Sequence, residues 1–340
     1  METSTLNRNI KSSRHPGRTP PIPGPNSIAE VAFLRLGNVD QWVMIRGINK
    51  DNPVLVMLHG GPGMSETVFW RYYNSEALEK IFTVVYWDQR GSGKSFDPEL
   101  DKNTMTVEQF LSDLNDLIDN VCVRLHKKQV TIFGHSWGSV LGPLYAARFP
   151  DKVAAYVGSG QIGNWAASEQ ATYKYTLDEA ERRGWKRMFR RLKEIVGEPP
   201  HDCKALISQR NCLAELDGDI SWRGIWKMLW IFLRAPEHSL LDLFRVYEVL
   251  EFSIDTMWAH VTSINLLESV PELKMPTFFL LGSQDHCVLP EISTDYVDRL
   301  VAPSKEVVWF ENSKHQPFMD EPGKFCKTMA RLVRPVVEST

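Results

Sequence analysis

A chain of 340 residues with 43 % hydrophobic content can bury a large core, which excludes disorder as a whole. Its 39 basic and 42 acidic residues leave a net charge of -3, excluding the global positive field that nucleic-acid binding leans on and favouring a small neutral or mixed-charge substrate. No apolar run approaches a membrane span, the N-terminus lacks a secretory pattern, and Cys122, Cys203, Cys212, Cys287 and Cys326 show no zinc-site spacing; we expect a cytoplasmic protein with reduced thiols, no metal and no membrane partner.

Residues 1–27 carry Arg8, Lys11, Arg14 and Arg18 against Glu2. Pro16, Pro20, Pro21, Pro23 and Pro25 would break an amphipathic helix, so this stretch reads as a flexible arm rather than a transit peptide. Two alternating stretches, Ala29 to Leu36 and Gln41 to Ile48, flank Gly37-Asn38 and predict a hairpin. The apolar run Val54 to Leu58 predicts a strand buried on both faces and ends in His59-Gly60-Gly61-Pro62-Gly63. A second strand, Phe82 to Trp87, ends in Asp88-Gln89-Arg90-Gly91-Ser92-Gly93. Phe110, Leu111, Leu114, Leu117, Ile118, Val121 and Leu125 then predict a helix from Val107 to Leu125. A third strand, Val130 to Phe133, runs straight into Gly134-His135-Ser136-Trp137-Gly138, and another follows at Val153 to Gly158.

This alternation predicts an α/β fold, a mostly parallel sheet with helices on both faces and chemistry at the strand ends. From 162 to 270 the pattern is helical without a strand signal, and we expect an inserted helical cap there. Residues 28–161 and 271–340 would form the catalytic domain, closing with strands Thr277 to Leu281 and Val307 to Phe310 and a helix after Pro322.

Gly134-His135-Ser136-Trp137-Gly138 has the G-x-S-x-G form of a nucleophile elbow, with a strand before it and a helical pattern after it. A serine hydroxyl needs a base to take its proton and a third group to orient that base. Asp285 follows one late strand and His315 follows the next, so the chain offers Ser136, Asp285 and His315 in the order Ser, Asp, His. The oxyanion of an acyl-transfer intermediate needs two convergent N–H donors. Trp137, directly after the serine, supplies one, and Gly61 is the best candidate for the other. Gly91-Ser92-Gly93-Lys94-Ser95 ends like a phosphate-binding loop, but Asp88 stands where its first glycine belongs. No two histidines share helical ligand spacing, so neither metal nor cofactor is expected.

With these segments assembled, the chain resembles the prolyl iminopeptidase branch of the α/β-hydrolases. The likeness rests on His59-Gly60-Gly61-Pro62-Gly63, Asp88 to Ser95, Gly134 to Ser139, and Phe310 to His315 with Glu321-Pro322 after it. The resemblance implies the same triad, an oxyanion hole at Gly61 and Trp137, no cofactor, a helical cap over the site, and a bracing role for Asp88 and Arg90. In true prolyl iminopeptidases a cap glutamate, in a Trp-x-x-Trp-Glu type motif, holds the substrate's free amino terminus. None of the 11 tryptophans here precedes a glutamate, and Glu169, Glu248 and Glu251 remain the candidates for that carboxylate.

Within the cap, Trp222, Ile225, Trp226, Leu229, Trp230, Ile231, Phe232 and Leu233 predict a helix apolar nearly all round and therefore buried. Three destinations are open for it: packing within the cap, lining a pocket for an apolar acyl or aromatic substrate, or a homodimer contact. The basic run Arg182-Arg183, Lys186-Arg187, Arg190-Arg191 and Lys193 reads as a solvated helix face. The expected function is hydrolysis of a small ester, lactone or amide through an acyl-serine. The alternatives are a true N-terminal aminopeptidase, an acyltransferase or cyclase using the same triad, and a non-catalytic binding homologue.

Overall fold

The computed structural model describes residues 16–196, 198–199, 203–218 and 222–338. Strands β1 (Ile28–Leu36) and β2 (Val39–Gly47) pair antiparallel around Gly37-Asn38, both at positive φ, 49° and 64°, as a two-residue hairpin turn demands. They continue into β3 (Val54–Leu58), β4 (Thr83–Trp87), β5 (Val130–His135), β6 (Val153–Ser159), β7 (Thr277–Gly282) and β8 (Lys305–Phe310). The eight strands form one sheet in the order β1-β2-β4-β3-β5-β6-β7-β8. From β4 onward every pairing is parallel, so the ends of β3 to β8 emerge along one edge.

The strands are apolar on both faces because both faces are covered. In β3, Val54, Val56 and Leu58 join one core, while Leu55 and Met57 join the other. The first core is closed by helices α2 (Val107–Leu125) and α3 (Gly138–Arg148). Helix α1 (Thr67–Ile81) closes the second, where Trp70 and Leu78 are fully buried. Helix α2 spans Val107–Leu125, as its periodicity predicts. Thr106 caps its N-terminus by accepting from the Gln109 N–H, and His126 ends it in the left-handed conformation. All seven apolar residues that predict it are buried, each stabilising the fold by roughly 1.5–3 kcal/mol for a large side chain. Helix α3 (Gly138–Arg148) begins two residues after Ser136.

Between β6 and β7 the described residues are helical. They form α4 (Trp165–Arg182), α5 (Lys186–Arg191), α6 (Cys203–Leu216), α7 (Trp222–Leu233), α8 (Leu240–Phe244), α9 (Val246–Thr262) and α10 (Leu266–Ser269). The segment leaves and re-enters the sheet at one point. Asn164 and Asn265 form a β-bridge, the Trp165 N–H donates to the Ile264 carbonyl at 3.1 Å, and the Leu266 N–H donates to that of Gly163 at 2.7 Å. Helix α9 rests on the loops at the sheet edge, where the Ser253 hydroxyl donates to the Gly91 carbonyl at 2.9 Å. After β7 come α11 (Pro290–Arg299), α12 (Pro317–Asp320) and α13 (Pro322–Thr328).

Two expectations need correction. The apolar helix α7 is not buried all round: Trp226 is 63 % exposed, Leu233 58 % and Met228 51 %. Ile231 packs inward, and Phe232 and Trp230 meet Phe69 and Tyr72 of α1 edge to face, while Trp226, Met228 and Leu233 stay exposed. The N-terminal stretch 1–27 is not wholly a free arm. Residues 1–15 lie outside the described residues, but from Pro16 onward the chain is pinned. The Pro16 carbonyl accepts from the Trp42 indole at 2.7 Å, while the Thr19 hydroxyl donates to Glu237 and accepts from Arg46. These contacts supply the anchorage that proline-rich composition alone does not show. The basic run along α4 and α5 faces solvent as expected.

Candidate active site

Ser136 sits between the last residue of β5 and the first turn of α3, with φ at 52°. A non-glycine residue in the left-handed region is strained, and here the strand-to-helix turn imposes it. The flanking glycines permit the turn. A Cβ on Gly134 would lie 2.2 Å from the Gly138 carbonyl oxygen, and a Cβ on Gly138 would lie 2.2 Å from that of Leu58. The Ser136 N–H donates to the Ser159 carbonyl at 3.0 Å, fixing the turn against β6. The Trp137 amide stands at the start of α3, where backbone N–H groups lack intrahelical acceptors. Gly61 lies in the loop after β3.

Asp285 and His315 follow β7 and β8, and the structure brings them together. His315 Nδ1 lies 2.8 Å from Asp285 Oδ2. The other carboxylate oxygen accepts from the backbone N–H groups of Cys287 and Val288 at 2.9 and 2.8 Å, which fixes the plane of the acid. With Nδ1 engaged, Nε2 is the ring nitrogen left for a proton transfer. The His315 ring packs against that of His135, the residue before Ser136, with centroids 4.7 Å apart.

The loops around these residues are tied by buried polar groups. Asp88 accepts from the Ser65 and Thr67 hydroxyls and, at 2.9 Å, from the Lys94 N–H. Arg90 reaches Asp113 on α2 through Nε at 2.7 Å and Nη2 at 2.8 Å, and Nη2 also donates to the Gly37 carbonyl. Gln89 accepts from the Trp137 indole at 2.8 Å and donates to the His59 carbonyl. His59 is a neutral ring by geometry: Nε2 accepts from the Gln89 N–H, so Nδ1 carries the proton toward the Gly60 carbonyl. Burial pushes its pKa down, consistent with that state.

Sequence reasoning missed Glu66 and His135. Glu66 Oε1 lies 2.7 Å from His135 Nδ1, and Oε2 accepts from the Gly60 N–H at 3.2 Å. His135 Nε2 lies 2.9 Å from the His315 carbonyl oxygen. His135 occupies the variable position of the elbow motif, and no spacing links it to Glu66. Of the three glutamates expected as candidates for an amine-binding carboxylate, Glu169 is buried and paired with Arg210, whereas Glu248 is exposed. Among the described residues no cluster of His, Cys, Asp and Glu could hold a metal ion, all five cysteines are free thiols, and no helix is long and apolar enough to cross a membrane.

Residues 53–210 match the family described as alpha/beta hydrolase fold. A probable aminopeptidase, YbaC, of Bacillus subtilis is 33 % identical, covering 92 % of this chain and 99 % of its own. This chain belongs to the α/β-hydrolases, in their proline iminopeptidase-like branch. A proline iminopeptidase of Heyndrickxia coagulans is 26 % identical over 84 % of this chain and 91 % of its own. The proline iminopeptidase-related protein of Thermus thermophilus superimposes with a TM-score of 0.63 at 19 % identity, covering 91 % of this chain and 99 % of that one, a likeness of fold. As an α/β-hydrolase of this branch, the protein is a hydrolase.

Proposed function

We propose that the protein cleaves a small ester, lactone or amide through an acyl-Ser136 intermediate, with His315 as base and Asp285 as the group that orients it. The observation that carries this reading is the strained Ser136, at φ 52°, in a strand-to-helix turn whose neighbouring loops hold the Asp285–His315 hydrogen bond.

In the first half-reaction His315 Nε2 takes the Ser136 proton as Oγ attacks the carbonyl carbon. The carbonyl oxygen becomes an oxyanion facing the N–H groups of Gly61 and Trp137, and removing one such donor typically costs about 10²–10³ in rate. His315 then gives the proton to the leaving alcohol or amine, and the carbonyl re-forms as the acyl-enzyme. In the second half, water loses a proton to His315 and attacks, and the released serine recovers it. The helical segment 162–270 serves as a cap, with Ser253 and Val249 of α9 lying against Gly63 of the oxyanion loop, and the substrate carries an apolar acyl or aromatic part.

A second reading, an aminopeptidase, is favoured by one observation. Glu169 is 5 % exposed, Oε1 accepts from Arg210, and Oε2 is buried without a hydrogen-bond partner. An ammonium group could satisfy that oxygen, although Arg210 already offsets the charge. Proline 4-nitroanilide and 4-nitrophenyl butyrate, assayed on the wild type, Ser136→Ala and Glu169→Gln, separate the readings. Ser136→Ala should lose turnover of any substrate that works, and retained turnover would sink the triad assignment. A KM rise in Glu169→Gln confined to the anilide would establish the aminopeptidase, and equal handling of both substrates would remove it.

A further inference from the structure

The Glu66–His135 pair is buried, with side-chain exposures of 2 % and 1 %, and no step of hydrolysis uses it. Its contacts join three loops that are far apart in sequence. Glu66 receives the Gly60 N–H of the oxyanion loop, His135 is bonded through its backbone to Ser136, and the His135 ring reaches the backbone carbonyl of the base, His315.

The proton inventory of this chain of bonds follows from its acceptors. The His315 carbonyl can only accept, so His135 Nε2 carries a proton. On the other side a ring nitrogen faces a carboxylate oxygen at 2.7 Å, so a proton must lie between them, or two lone pairs would oppose each other in a buried site. His59 shows the contrast, since one neighbour donates to it and one accepts, and a neutral ring suffices. Burial by itself would lower the His135 pKa, but the Glu66 carboxylate, the His315 carbonyl and the Asp285 charge outweigh it and hold the ring above the ordinary histidine value.

We infer that Glu66 and His135 are positioning residues, a proton-bearing strut that fixes the oxyanion loop, the nucleophile and the base relative to one another. The inference rests on the serine-hydrolase reading, because it assigns the strut to that site's geometry. The charged and titratable groups facing His135 are Glu66 from the loop before α1, His59 from the loop after β3, Asp285 from the loop after β7 and His315 from the loop after β8. The edge of Phe318, on α12, closes the remaining side.

The test compares Glu66→Ala and Glu66→Gln with the wild type on 4-nitrophenyl butyrate. Alanine removes both ties, and loops released by as little as 1 Å should cost roughly 10- to 100-fold in kcat with KM little changed. Glutamine can accept from Gly60 and donate to a neutral His135, so it should restore kcat to within a few-fold. The shared proton leaves as pH rises through the raised titration, so wild-type kcat should fall on the alkaline side, and Glu66→Gln should lack that limb. In the ¹⁵N-histidine-labelled wild type, His135 should show two slowly exchanging ring N–H signals, and in Glu66→Gln one.

A kcat within twofold of wild type in Glu66→Ala, a loss confined to KM, or glutamine no better than alanine would overturn the strut. Should Glu66→Ala fail to fold, the ring signals of the wild type decide: a single His135 N–H overturns the proposal. Ser136→Ala, assayed alongside, keeps the two ideas apart. Activity retained there overturns the triad, whereas an inactive Ser136→Ala beside an unimpaired Glu66→Ala overturns only the strut.

Discussion

Asp285 and His315 stand thirty residues apart in the chain, yet Oδ2 of one and Nδ1 of the other lie 2.8 Å apart at the ends of adjacent parallel strands. The acid is in turn fixed by two backbone N–H groups. Asp285→Asn keeps the shape but offers an amide where His315 needs an acceptor. We expect kcat to fall about 10³- to 10⁴-fold with the melting temperature nearly unchanged, as steady-state kinetics and calorimetry would show. A loss below tenfold would argue that another group orients His315.

Gly160 follows β6 at φ 54°, and a Cβ there would stand 2.7 Å from Cε1 of His315. Gly160→Ala should push the imidazole from its place without disturbing the sheet. Activity should drop by roughly 10²-fold, the scale set by an ångström of misplacement, while circular dichroism stays that of the wild type. Full activity would mean that the ring has another productive position.

Asp113 is wholly buried and accepts from Arg90, Gln41 and Gln109. Removing it leaves the Arg90 guanidinium buried without its counter-charge. Asp113→Ala should therefore destabilise the fold by about 3–5 kcal/mol, read as a lowered midpoint of urea unfolding. A shift under 1 kcal/mol would contradict the bracing role of Arg90.

His59 is held neutral, with burial pushing its pKa below the ordinary 6.5. For a histidine depressed in the folded state, the stabilisation is complete above the unfolded value and is lost as pH falls toward the folded one. The melting temperature should then decline below about pH 6.5. His238, also lowered by burial, contributes in the same direction. His59→Gln should show a shallower decline, and an unaltered slope would place the acid sensitivity elsewhere.

Much of the architecture was legible because a strand covered on both faces must be apolar throughout, as in Val54 to Leu58 and Val130 to Phe133, and must end where its loop begins. The pairing of Asp285 with His315 followed from their positions after successive strands of one parallel sheet. Glu66 and His135 were illegible for the converse reason. They meet across 69 residues, where the loop before α1 packs on the end of β5, a meeting that no local pattern encodes. Helix α7 misled because hydropathy states what Trp226 and Leu233 favour, not whether any chain lies beside them to provide it. The anchorage of Pro16 and Thr19 likewise depends on partners, Trp42, Arg46 and Glu237, that composition does not reveal.

The stitch at Asn164 and Asn265 has a consequence for how such a molecule can change. Roughly a hundred residues hang from two points already fastened together, so the sheet experiences them as it would a short turn, and lengthening or replacing them adds little closure entropy to the body below. Length and sequence can therefore change within that segment while the sheet and the loops at its edge stay as they are, and laboratory exchange of the whole cassette at that seam should be tolerated for the same reason.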